Sequence, residues 1–139
     1  MWESRAVLGQ IFQRLFGLLL IVFVGMYLYG WQPPAVSAEA QPLWDAIINS
    51  GYIMPAVIVA YEICGLASLS NRFTPLAAIL LVPVSLNIFL YHSFPNPSSI
   101  PFAITFFGGN MALLYVHRKS YKNLLIPDSR HQSSNEPNA

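Results

Sequence analysis

Hydrophobic positions along this chain come in long blocks. They show neither the alternation of a half-buried strand nor the charged opposite face of a soluble amphipathic helix. Four blocks occupy residues 15–31, 52–69, 76–94 and 102–117. A helix needs ~20 mostly apolar residues to cross the hydrocarbon of a bilayer. The second and third blocks meet this length most readily, and the first and fourth do so with their flanks. In lipid each segment must satisfy its own backbone polar groups, which selects helices over open strands. The pattern predicts an all-α, polytopic membrane protein: a four-helix transmembrane bundle with spans at 12–31, 52–70, 75–94 and 101–117, in one domain over residues 1–119. From Ser120 the chain turns polar, so residues 120–139 are expected to form a disordered tail.

The breaks between blocks carry helix punctuation. Pro75 and Pro101 suit a first helical turn, where a missing N–H costs nothing, and Thr74 is placed to cap the third span. Pro33 and Pro34 are expected to stop the first helix. Pro95 and Pro97 interrupt the link between the third and fourth spans, and Pro83 is expected to kink the third. In the longest connection, Leu43, Trp44, Ile47 and Ile48 recur at helical spacing, which predicts a short interfacial helix over residues 42–50 in the first outer loop. Trp31, Trp44, Tyr52, Tyr91 and Tyr115 fall near span ends, as interfacial aromatics do.

Charge sharpens this reading. Only 9% of the 139 residues are charged and 55% are hydrophobic, against ~25% charged in soluble domains. No Asp, Glu, Lys or Arg occurs from Phe73 to His117. Four spans place all 7 basic residues (Arg5, Arg14, Arg72, Arg118, Lys119, Lys122 and Arg130) on one side, and leave only Glu39 and Asp45 in the opposite loops. The positive-inside rule then puts both termini in the cytoplasm. Val36-Ser37-Ala38 has the small residues of a signal cleavage site, but a leader ending at Ala38 would exceed the usual ~15–30 residues, so the first span is expected to be retained. A net charge of +1 excludes a nucleic-acid footprint. Cys64 as the single cysteine excludes an internal disulfide or a CxxC pair.

Few residues can carry chemistry. Glu62 lies near the middle of the second span, where an acid must face other helices, find a partner or remain protonated. By helical rise, Asn110 falls near the same depth and Asn87 somewhat closer to the outer face; either could hydrogen-bond across helices. These three, with His92 at the outer end of the third span, form the candidate ligand or proton site. Arg14 and Arg72 are candidate head-group contacts. Ala56, Ala60, Cys64 and Ser68 form a small-residue stripe, and Gly108 with Gly109 permits close approach; both are packing signals first. No metal cluster is expected, and phosphate-loop, zinc-protease, nucleophile-elbow, haem and dinucleotide motifs are absent.

The ordered set Gly51-Tyr52-Ile53-Met54-Pro55, Glu62, Gly65, Asn71-Arg72-Phe73-Thr74-Pro75-Leu76-Ala77, Pro83, Asn87-Ile88 and His92 resembles the DoxX family of small four-helix membrane proteins. The resemblance covers residues 14–116. It implies a four-helix bundle in a bacterial inner membrane, matches the family's acid to Glu62 and its turn arginine to Arg72, and implies a link to quinone-coupled oxidation or to complexes that handle oxidative stress. Three functions follow as expectations. The chain is a subunit of a quinone-linked redox system, in which Glu62 with Asn87 or Asn110 holds the head group; or a non-enzymatic scaffold for a partner protein; or a small proton or solute transporter through Glu62. Membrane lipid is an expected partner, and transport by four helices would call for a homo-oligomer.

Overall fold

The computed structural model describes residues 2–31 and 36–125. Five α-helices follow in order: α1 (Trp2–Leu28), α2 (Gln41–Asn49), α3 (Ile53–Ser70), α4 (Thr74–Ser93) and α5 (Ile100–Val116). One short 3-10 turn, Pro97–Ser99, leads into α5, and another, Arg118–Leu125, follows it. Four helical stretches, Val7–Leu28, Ile53–Ser70, Thr74–Ser93 and Pro97–Val116, are long and apolar enough to span a membrane. The chain is thus an all-α, multi-pass membrane protein, and the expected short helix in the first loop is present as α2.

The four long helices form a ring in which α1 packs on α3, α3 on α4, α4 on α5 and α5 back on α1. Glycine sets the tightest crossing. A Cβ on Gly17 would lie 2.9 Å from the Gly65 carbonyl oxygen and 2.8 Å from Ser68 Cβ, so α1 and α3 touch backbone to backbone. On the neighbouring interface, Gly109 gives its space to the Phe16 ring. Cys64 and Ser68 of α3 and Thr74, Ala77 and Ala78 of α4 are buried in the same half of the bundle, all of them small. Of the small stripe on α3, only Cys64 and Ser68 are buried; Ala56 is exposed and Ala60 half-buried. Close packing therefore belongs to the end of the bundle nearest the α3–α4 turn, here called the hairpin end. At the opposite, α2 end the helices diverge around a cavity.

Local signals explain the helix boundaries, and several differ from the sequence expectation. The stop for α1 is Gly30, in the left-handed region at φ 78°. Trp31 N–H donates to the Met26 carbonyl and Gly30 N–H to the Tyr27 carbonyl, which closes a Schellman motif before the prolines are reached; Pro33 and Pro34 lie outside the described residues. Thr74 does not cap α4. The cap position is Phe73 (φ 59°), which follows Asn71 (φ 54°), so two left-handed residues reverse the chain in a three-residue turn. Thr74 Oγ1 instead donates to the Ala67 carbonyl, at 3.1 Å. α1 begins at Trp2, ahead of the predicted start at 12, because no helix breaker precedes the apolar block. Residues 120–125 belong to a 3-10 turn, not to a disordered tail, and Tyr121 OH anchors that turn on the Pro75 carbonyl at 3.0 Å; the remainder of the predicted tail lies outside the described residues.

Candidate functional site

The α2 end holds an open cleft of about 1440 Å³, larger than the ~300–1,000 Å³ of most small-molecule sites. Its walls are the α2-end halves of α1, α3 and α4, and α2 forms its roof. α2 has no buried residue of its own. It is held by its flanks: Ser37 Oγ donates to the Pro95 carbonyl at 2.7 Å, and Ser37 N–H to Asn96 Oδ1 at 3.4 Å. These bonds tie the α1–α2 connection to the α4–α5 link. Asn96 is itself buried, and its side chain also accepts from Ser98 Oγ at 3.1 Å. Trp44 of α2 rests against Tyr91 of α4, with centroids 6.4 Å apart.

The floor is aromatic. Phe23 lies 5.7 Å from Tyr61, 5.4 Å from Phe102 and 5.4 Å from Phe106, and Tyr61 stacks on Phe106 at 5.5 Å. His92 meets the Phe102 ring at 5.6 Å and Tyr91 at 5.1 Å. Such rings favour offset and edge-on contacts, and a further flat ring can join them. Polar groups are few and partly unused. The Tyr91 hydroxyl and His92 Nδ1 are buried with no hydrogen-bond partner among the described residues. Tyr61 is 1% exposed, lines the cavity and forms no side-chain hydrogen bond among the described residues. Side chains on a helix slant toward its N-terminus, and α3 begins at the α2 end, so the Tyr61 hydroxyl is carried toward the cavity. Buried polar atoms normally find partners; the Tyr91 hydroxyl and His92 Nδ1 are closed to a molecule the size of water and the His92 ring lies within reach of the Asn96 backbone, so the polar groups open to the cavity are those of Tyr61 and Asn87.

The structure separates the residues the sequence grouped. Asn87 and His92 line the cavity. Asn110 does not: it is 0% exposed and inserted against α4. In the amide orientation that satisfies both ends, its Nδ2 donates to the Ala78 carbonyl at 3.0 Å, and its Oδ1 accepts from Val82 N–H at 3.2 Å and from Ser85 Oγ at 2.9 Å. Asn110 thus braces the turn of α4 that precedes Pro83, a residue with no N–H to offer the Ile79 carbonyl. α4 continues through Pro83. Glu62 also lies off the cavity. It follows Tyr61, which points inward, and a helix turns ~100° per residue, so Glu62 is exposed on the flank of α3. It has no hydrogen-bond or ion-pair partner among the described residues. The expected grouping of Glu62 with Asn87 or Asn110 does not form. An acid at the centre of an apolar span costs on the order of 3 kcal/mol on insertion scales, and no contact among the described residues offsets it.

A second polar cluster, unforeseen in the sequence, sits at the hairpin end. Gln13 of α1 is 1% exposed. Its Nε2 faces the Ser68 carbonyl at 2.8 Å, Asn71 Oδ1 at 3.0 Å and Thr74 Oγ1 at 3.2 Å, and its Oε1 accepts from His117 Nε2–H at 2.8 Å. Three acceptors around the nitrogen fix the amide orientation, and with it the His117 tautomer. One side chain thus joins α1, α3, α4 and the end of α5. Burial pushes His117 below its ordinary pKa. Arg14 and Arg72 are exposed at this end, consistent with head-group contact. Arg118 covers the Tyr115 ring at 4.2 Å and donates to the Tyr115 carbonyl at 3.0 Å. Among the described residues no group of three or more His, Cys, Asp and Glu side chains could hold a metal ion. Comparison with protein-family models, with curated proteins and with solved structures finds no match.

Proposed function

We propose that this chain is a DoxX-like membrane subunit that binds a quinone-class amphiphile, a flat polar ring on a long hydrocarbon chain, in the cavity beneath α2. The observation that carries the reading is a large cavity lined by the aromatic side chains of Phe23, Trp31, Trp44, Tyr61, Tyr91 and Phe102 with few polar groups among them. The rings of Phe23, Tyr61 and Phe102 suit a flat head group; the Tyr61 hydroxyl and the Asn87 amide suit its carbonyl or hydroxyl oxygens. The volume accommodates the start of an apolar tail. A bound quinone would supply two-electron redox chemistry, while the residues of this chain orient the ring and shelter it from water. No catalytic residue is assigned. We place the protein in a bacterial inner membrane with both termini in the cytoplasm. The exposed basic residues Arg14, Arg72, Arg118, Lys119 and Lys122 gather at the hairpin end and Glu39 and Asp45 at the α2 end, which supports that orientation.

Trp31 and Trp44 line the cavity, so their fluorescence reports occupancy. Titrating decyl-ubiquinone into the purified protein in nanodiscs should quench it saturably, with decanol as the apolar control. Tyr61→Phe combined with Asn87→Ala should weaken binding roughly tenfold, the effect of losing about 1.4 kcal/mol of hydrogen bonding. Quenching that never saturates, and that is identical in the double variant, would refute the reading.

A further inference from the structure

The lipid-facing surface of α3 carries one residue that hydrocarbon does not accommodate. Glu62 sits at the middle of Ile53–Ser70 and is exposed, with Val59, Ile63 and Leu66 exposed around it. A carboxyl at that depth either remains protonated or requires a cover that supplies positive charge, and the sources of a charged cover can be separated.

Phospholipid head groups lie about half of the ~30 Å hydrocarbon thickness away. A second copy of this chain has no cation to offer at the right depth, because no Lys or Arg occurs at residues 15–71 or 73–117. The two histidines among the described residues do not reach: His92 stands near the α2 end against Phe102, and His117 at the hairpin end against Gln13. Arg14 is level with the hairpin turn, since its neighbour Gln13 bonds Ser68 and Asn71. The Arg14 side chain slants toward the N-terminus of α1, away from mid-membrane. A two-fold axis along the bilayer normal would set Glu62 opposite Glu62, like against like. We infer that this face of α3 is a docking surface for a transmembrane helix of a different protein that carries a Lys or Arg at mid-bilayer depth. Glu62 is not among the cavity residues, so the inference stands apart from the ligand reading.

The test uses the full-length protein, fluorescently labelled at its C-terminus, in liposomes with acceptor-labelled leucine–alanine transmembrane peptides. One peptide carries a single central Lys, one carries Leu there, and one carries the Lys two turns off centre. Energy transfer should show the central-Lys peptide binding roughly five- to thirtyfold more tightly than the Leu peptide, with the off-centre peptide close to Leu. Glu62→Gln keeps the side-chain shape and should abolish that preference, while circular dichroism and gel filtration verify that the variant folds. Equal binding of the Lys and Leu peptides overturns the inference, as does a Lys preference that persists in Glu62→Gln. Transfer between copies of the protein itself, lost in Glu62→Gln and unaffected by the Lys peptide, would assign the surface to a homodimer and overturn it as well.

Discussion

Replacing Gln13 by leucine removes a side chain that joins all four long helices at the hairpin end. The amide has two N–H groups and one carbonyl, so at most three good hydrogen bonds can form at once: Nε2 to two of its three acceptors, and Oε1 from His117. Interhelical hydrogen bonds in membrane proteins average ~0.6 kcal/mol each, which gives about 2 kcal/mol for the set. Leucine is close in volume, so little of the loss comes from packing. The Thr74 hydroxyl keeps its bond to Ala67, and that limits the damage on α4. Unfolding by increasing SDS mole fraction in mixed micelles, followed by tryptophan fluorescence, should show Gln13→Leu destabilised by about 2 kcal/mol. A cycle with His117→Leu should give a coupling of roughly 0.6 kcal/mol for the 2.8 Å bond. A Gln13→Leu protein within 0.5 kcal/mol of wild type, together with a coupling indistinguishable from zero, would show that these contacts do not hold the helix ends together.

Burial lowers the pKa of His117 from its ordinary 6.5, so the folded chain binds this proton less tightly than the unfolded chain. Its contribution is therefore fully present above pH 6.5 and is lost as pH falls from 6.5 through the lowered value; His117→Gln should flatten that part of the stability profile. Gly17→Val places atoms 2.9 Å from the Gly65 carbonyl, where backbone cannot yield. It should cost ~1–3 kcal/mol in the same SDS assay, whereas valine at Gly108, which faces open space, should cost little. Asn110→Leu should destabilise by about 1–2 kcal/mol and speed amide exchange in a peptide covering residues 78–85, which mass spectrometry resolves.

The spans were legible because burial in lipid needs only long uncharged blocks, and α2 because its apolar residues keep helical spacing. Which way a residue faces within a span was not legible. A surface helix of a soluble protein reveals its inner face by contrast with charge, but on α3 both the lipid-facing and the bundle-facing sides are apolar, so nothing local distinguished Glu62 outside from Tyr61 inside. Depth arithmetic placed Glu62 and Asn110 together, and rotation about the helix axis separated them. Gln13 was overlooked because a single neutral amide near a span end is unremarkable until the α3–α4 turn brings Ser68, Asn71 and Thr74 to it. Phe102 and Phe106, four residues apart on one helix face, did offer a readable signal for an aromatic wall. The cavity itself was beyond reach, since it depends on small residues closing one end of the bundle while large ones prop the other.

Every wall of that cavity belongs to the half of the bundle under α2, so if it takes the proposed amphiphile, it samples one monolayer. A molecule that crosses freely between the two sheets of lipid will reach the pocket wherever it is made. One with a charged head, slow to flip, will arrive only if it is delivered on the α2 side. Geography would then sort candidates before any contact with Phe102 or His92 does, and the lipid asymmetry of the host membrane becomes part of the recognition.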